Sequence, residues 1–234
     1  MLTWKKPFVV KIQILSKTLV KKILFLFLII LVSLTPAYGH KLISHDDTHR
    51  NFESALKIPD HKISWAIYEN LGQNEAKFYT FEAQKGDSFY ASIVIPKIEG
   101  LEEYSPTLVL VGDDNFQKKK INYEKNFPGD EFYEPFGQIT YWERQELKTD
   151  IPMDGTYFLV VMDEKNQSGK YSLAIGTIED FSLVDFFTIL PKAWIDTKLF
   201  VNDYNSITMS VLILIGFTSV PILILFRKKL IKLR

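Results

Sequence analysis

The 234-residue chain contains no cysteine, which excludes disulfides, thiolate metal sites and cysteine redox chemistry. Histidine is scarce too: the four copies, His40, His45, His49 and His61, all fall between residues 40 and 61. The sequence has no Gly-x-Ser-x-Gly, His-Glu-x-x-His, phosphate-loop or Rossmann glycine pattern, so hydrolase, zinc-peptidase and nucleotide chemistry have no motif to stand on. No enzymatic activity is expected. Acid is missing from both ends. Residues 1–39 carry six Lys, and residues 207–234 carry five Lys or Arg, without one Asp or Glu in either stretch. The formal charge of zero therefore conceals a middle segment, residues 40–206, in which 17 bases face all 28 acids, a net of −11.

What the ends do have is apolar sequence beside the lysines. Residues 23–34 are apolar apart from Ser33, and Thr35-Pro-Ala-Tyr-Gly39 follows. A basic segment, a short apolar core and small residues at Ala37 and Gly39 have the layout of a secretory signal cleaved before His40. The basic segment is long, so an uncleaved signal anchor is the rival reading of residues 1–39. Residues 207–226 contain no charge, and at ~1.5 Å per helical residue they match a ~30 Å hydrocarbon core. Arg227, Lys228, Lys229, Lys232 and Arg234 follow directly. These signals predict a single-pass protein of the cell membrane: residues 40–206 outside, a transmembrane helix at 207–226 in the lipid bilayer, and a cytoplasmic tail at 227–234.

Residues 62–178 read as short β-rich runs separated by Gly and Asp turns. Alternating runs at 63–68, 77–82, 89–96, 107–111, 145–151, 156–162 and 171–175 predict a mainly β, antiparallel sandwich. Phe78-Tyr-Thr-Phe-Glu-Ala-Gln-Lys-Gly-Asp87, Pro106-Thr-Leu-Val-Leu110, Asp154-Gly-Thr-Tyr-Phe-Leu-Val-Val161 and Gly169-Lys-Tyr-Ser-Leu-Ala-Ile175 together resemble the bacterial pre-peptidase C-terminal domain. The resemblance covers about half the chain and implies a jelly-roll-like sandwich that serves secreted enzymes as a binding or processing accessory, some relatives binding calcium or matrix polymers. No peptidase precedes the domain in this sequence.

Four features are candidates for chemistry or recognition. Residues 40–61 read as a flexible His-rich leader in which His40, His45 and His49 offer imidazoles for Cu or Zn, with the α-amine of His40 added if cleavage follows Gly39. Asp113 and Asp114, after the 107–111 run, offer oxygen ligands suited to Ca. The insertion 115–144 is rich in aromatics, and Tyr123, Phe132, Tyr133, Tyr141 and Trp142 form a candidate surface for an extracellular protein or glycan. Residues 179–206 read as an amphipathic juxtamembrane segment, with a helix stopped by Pro191, that lies on the bilayer or meets a membrane partner. Asn166-Gln-Ser168 is a glycosylation acceptor pattern in a turn. Lys118, Lys119 and Lys120 sit in a domain too acidic to attract nucleic acid. The expected function is a membrane-anchored extracellular interaction module, with surface metal binding or service in a membrane complex as alternatives.

Overall fold

The computed structural model describes Lys22 and residues 40–112 and 128–232, with side chains given as far as Ser219 except those of Leu183 and Phe186. The candidate residues Asp113, Asp114 and Tyr123 lie outside the described residues. Ten strands are present among the described residues: β1 (Lys41–Leu42), β2 (Leu56–Lys57), β3 (Trp65–Leu71), β4 (Ala76–Ala83), β5 (Ser88–Pro96), β6 (Thr107–Gly112), β7 (Glu131–Glu134), β8 (Ile139–Asp150), β9 (Gly155–Met162) and β10 (Gly169–Ile175). They form a six-stranded sheet ordered β1-β3-β10-β5-β8-β7 and a four-stranded sheet ordered β2-β4-β9-β6. The sheets are mixed, which corrects the expectation of a purely antiparallel sandwich. β1 runs parallel to β3 and β2 parallel to β4, while the remaining pairs are antiparallel.

Period-2 alternation explains the sandwich. Ile67, Phe89, Ile93 and Leu173 from one sheet face Tyr79, Phe81, Leu108 and Leu159 from the other, and all are buried. The Phe81 and Phe89 rings stack across the interior with centroids 4.7 Å apart. Burying one such side chain stabilises the fold by roughly 1.5–3 kcal/mol. One irregularity sets the faces of β8. Ile93 pairs with Gln145 and Val94 with Glu143, so Arg144 is an extra residue bulged into β8. Beyond a bulge the side chains exchange faces. Gln145 points inward, where its amide and carboxamide oxygen bond the backbone of Leu108 in the opposite sheet at 3.2 and 2.8 Å, whereas Glu143 and Tyr141 are turned out.

Residues 40–61 are not a free leader. Their segment adds a short strand to each sheet, through Lys41 N–H to the Ser64 carbonyl at 2.8 Å and Ile58 N–H to the Thr80 carbonyl at 2.8 Å. Phe52 covers Phe78 and Phe158 on the outer face of the smaller sheet, with ring centroids 4.9 and 5.0 Å away. His49 and His61 are buried. The reason lies inside the sandwich: Lys77 and Glu69 project inward from β4 and β3 and are fully buried, and this segment supplies their partners. Asp47 pairs with the Lys77 ammonium, and His49 Nε2 meets Glu69 Oε1 at 2.6 Å. The Tyr79 hydroxyl also donates to Glu69 at 3.1 Å and shares a 2.9 Å hydrogen bond with Tyr171.

Helix α1 (Leu183–Phe200) opens with a capping box in which Ser182 and Asp185 bond each other's backbone N–H groups. It runs through Pro191 instead of stopping there. Pro191 is exposed, so the carbonyl its ring leaves unbonded one turn earlier can turn to water. Ala193, Thr197 and Phe200, spaced four and three apart, face the sandwich and are buried. The β7–β8 turn meets this face so closely that a Cβ on Gly137 would lie 2.5 Å from Thr197 Cγ2.

Residues Tyr38–Tyr204 form one compact unit, and the helix that follows, α2 (Tyr204–Lys232), belongs to another. Residues 207–226 are helical within it. Among the described residues, no helix is long and apolar enough to cross a membrane.

The inward ammonium of Lys77 yields a first prediction. Replacing Lys77 with Met keeps the length of the side chain but leaves Glu69 with its ion partner removed, and urea denaturation at pH 7 is expected to show a loss of about 3–5 kcal/mol. A loss under about 1 kcal/mol, on the scale of an exposed pair, would mean that the ammonium is not a structural element.

Candidate functional site

The outer face of the six-stranded sheet carries a groove. Its floor is built from small residues, because the neighbours Ala66, Ala174 and Ser92 lie in one cross-strand row and Ser172 in the next. Along one side stands α1, with Ala193 at the wall, and along the other stands the β7–β8 hairpin. Small residues between taller walls leave a cleft of about 310 Å³.

The walls are aromatic. Tyr68, Tyr90, Phe132, Phe136 and Tyr141 line the cleft, and Phe132 stacks on Tyr141 with centroids 5.6 Å apart. Tyr68 is held from both sides: its hydroxyl shares a 2.7 Å hydrogen bond with Thr197, and its ring stacks on Phe200 at 4.7 Å. Burial pushes the Tyr68 phenol up to about 12, so it stays a neutral hydroxyl. Val94, Ile139, Tyr141 and Phe200 form a small second core that fixes α1 to this sheet.

Three carboxylates share the cleft with the rings. Glu134 is committed to structure, because it accepts the backbone N–H groups of Phe136 and Gly137 at 2.7 and 2.5 Å and so shapes the turn. Glu143 and Asp130 have no ion-pair partner within 4 Å among the described residues. Burial, with added repulsion from Glu146 and Asp130, raises Glu143 above the usual carboxylate range against the pull of Lys148. Burial likewise raises Glu134. Beside the cleft, the ammonium of Lys148 lies 5.5 Å from the centre of the Tyr90 ring. This wall therefore already takes a cation over its aromatic face.

The sequence candidates divide between this groove and other places. Phe132 and Tyr141 line it, as does His40, whose Nδ1 lies 2.5 Å from Ser64 Oγ. Tyr133 alternates away and is exposed. Trp142 does not belong to a recognition loop: it sits on the inward face of β8 against the core, with its indole N–H donating to Glu131 at 3.1 Å and the Arg144 guanidinium 4.9 Å above its ring. The described part of the aromatic insertion is a strand pair, because Phe132 and Tyr141 occupy registered positions in β7 and β8. His45 and His49 converge on Glu69, a group that His40 does not join. Asn166 is exposed in a turn with φ of 55°. Sequence reasoning missed Tyr68, Tyr90 and Glu143. Tyr68 and Tyr90 are marked only as alternate strand positions, and Glu143 reaches the groove only through the Arg144 bulge.

No family model matches the chain, and no curated protein matches it. Among solved structures it is similar to PliG of Salmonella Typhimurium, a periplasmic lysozyme inhibitor of g-type lysozyme, at 19% identity over 52% of this chain and 96% of that one, with a TM-score of 0.32. PliG of Aeromonas hydrophila is similar at 11% identity over 59% and 95%, with a TM-score of 0.31. The pre-peptidase C-terminal domain of collagenase from Bacillus anthracis is similar at 17% identity over 51% and 91%, with a TM-score of 0.32. The domain type that the strand motifs resemble is thus also among the solved structures that resemble this chain.

Proposed function

We propose that this protein is a membrane-anchored interaction module on the outer side of the cell membrane, and that its groove receives a basic segment of an extracellular or periplasmic partner protein. The observation that carries the reading is the pairing of unpaired carboxylates, Glu143 and Asp130, with the rings of Tyr68, Tyr90 and Phe132 in one cleft. A Lys or Arg side chain satisfies both features, its charge meeting the carboxylates and its face or stem meeting the rings. The net charge of −11 on residues 40–206 adds long-range attraction for such a partner.

The anchoring rests on the uncharged run 207–226 followed by its basic tail and on exposed apolar side chains. In α2, Met209, Val211, Leu212, Ile213, Leu214 and Phe217 are exposed. In α1, Val184, Phe187, Ile195 and Leu199 form an exposed stripe opposite the buried Ala193–Thr197–Phe200 face. Such a stripe suits a bilayer surface, with Lys192 and Trp194 at headgroup level. The anchor is expected to keep the protein in the membrane fraction through high salt and alkaline carbonate, with release by detergent. Recovery of the intact chain in the carbonate supernatant would overturn it.

The groove is tested with a labelled Lys- and Arg-rich peptide, read by fluorescence anisotropy on the full chain in detergent. Glu143→Gln is expected to weaken binding by about tenfold, equivalent to roughly 1.4 kcal/mol, and Phe132→Ala to weaken it as well. Because Glu143 is raised in the folded protein, it costs stability at neutral pH and that cost disappears as pH falls through its raised pKa. Glu143→Gln should therefore leave Tm at pH 7 unchanged or higher, which separates lost binding from lost folding. A bound cation favours the ionised carboxylate, so affinity is full above the raised pKa and declines as pH falls through it, starting above the ordinary Glu value of 4.5. Peptide affinity indifferent to both Glu143→Gln and pH would refute the basic-segment reading, as would tighter binding of a neutral oligosaccharide.

A further inference from the structure

At the inward face of β3, two imidazoles and a buried carboxylate come together. His45 and His49 stand on either side of a turn in which Asp47 takes a φ of 64°, a left-handed conformation that Asp tolerates better than most residues. The turn sets the two rings edge to face with centroids 4.8 Å apart. Glu69 reaches them from the inner face of β3. Its Oε1 lies 2.6 Å from His49 Nε2 and 3.3 Å from His45 Nε2, and one ligand atom from each of the three residues falls within 4.8 Å of the others. His49 and Glu69 are each 1% exposed, and within this buried site His49 Nδ1 and Glu69 Oε2 have no hydrogen-bond partner.

We propose that His45, His49 and Glu69 form a binding site for a divalent transition-metal ion of the zinc and cobalt class. Two imidazole nitrogens and one carboxylate oxygen suit these ions, whereas calcium and magnesium take oxygen. Tetrahedral coordination at bonds of about 2.0 Å sets neighbouring donors roughly 3.3 Å apart. Glu69 and His45 already have that separation. Glu69 and His49 must part by roughly 0.7 Å, as an ion replaces the proton now shared between them. The rings bind through Nε2 with their protons on Nδ1. For His45 this gives up the Nε2 hydrogen bond to the Tyr68 carbonyl, 3.1 Å long, and displaces the N–H of Asp47, a contact of 3.3 Å. The Lys77 ammonium, 3.9 Å from Glu69 Oε2, is compensated by Asp47 and by Glu75 at 4.0 Å. It therefore moderates affinity without closing the site. His45 retains some solvent exposure and marks the side on which water completes the coordination.

The test is titration of the full chain in detergent with Co2+, followed by its visible absorption, and competition with Zn2+. One equivalent of Co2+ with the intense bands of a four-coordinate site, displaced by Zn2+, is the expected result. His45→Ala removes a ligand at the rim and leaves the His49–Glu69–Tyr79 hydrogen bonds in place, so it should fold with an unchanged Tm in the absence of metal and bind Co2+ weaker by about tenfold or more. If His45→Ala lowers Tm, His45→Gln, which can still donate to the Tyr68 carbonyl, takes its place. Absence of the Co2+ spectrum in excess metal would overturn the site. So would unchanged affinity in the His45 variant, since this would place binding elsewhere. Peptide binding in the groove does not enter this test, and failure of either site leaves the other standing.

Discussion

The fold turns on a charge that points the wrong way. Lys77 occupies an inward position in β4, where the alternation that buries Tyr79 and Phe81 also buries the ammonium. A buried charge with no partner would be too costly to retain, so the structure must deliver counter-charge to that end of the core. Glu69 comes from the neighbouring inward position of β3, and Asp47 comes from outside the two main sheets. The segment that carries Asp47 is consequently bound into the domain. It supplies His49 to Glu69, adds an edge strand to both sheets and lays Phe52 over the smaller sheet. One inward lysine thus accounts for the ordering of residues that composition alone assigns to a loose leader.

A second constraint shapes the outer face of the same sheet. The Arg144 bulge shifts β8 by one residue, which sends Gln145 inward to Leu108 and turns Glu143 and Tyr141 outward. Arg144 itself is anchored inside by donating to the Tyr104 and Glu102 carbonyls, at 3.1 and 2.5 Å. The groove is the consequence of that shift combined with a close approach, since Gly137 lets the β7–β8 turn reach α1 without a side chain in between. Without either, the outer face would be a flat surface with its acids directed elsewhere.

Six of the longer strands and the second half of β8 were legible because alternation leaves a period-2 trace and their turns carry Gly, Asp and Asn, whereas the Arg144 bulge breaks that trace in β8. The two-residue strands β1 and β2 leave no such trace. Their pairing is dictated by the buried ion cluster, a tertiary effect invisible to local pattern. Pro191 by itself predicts a stop, but an exposed proline costs a helix less when packing at Ala193, Thr197 and Phe200 holds the following turns in place. Of the candidate sites, His45 and His49 were legible as members of the His cluster in residues 40–61, whereas Glu69 was not: in sequence it is one acid in a strand. Phe132 and Tyr141 were legible as aromatics, but only the register of β7 and β8 separates them from Tyr133 and Trp142.

The acid excess is distributed in a way that gives the two sites different characters. Around Lys77, the carboxylates of Asp47, Glu69 and Glu75 each lie within 4 Å of the Lys77 ammonium or the Arg50 guanidinium. At the groove, Lys97 engages Glu131 on the hairpin's other side and Lys198 pairs with Asp203, leaving Glu143 and Asp130 with no ion-pair partner within 4 Å among the described residues. Of the two, Glu143 is partly buried and bears a desolvation cost, while Asp130 is exposed. A fold that keeps them beside aromatic walls has a region whose electrostatic energy falls when a cation arrives. The two proposed sites therefore differ in kind. The proposed metal site draws on a carboxylate already paired within the domain, whereas the groove offers carboxylates without an ion-pair partner to positive charge from another molecule.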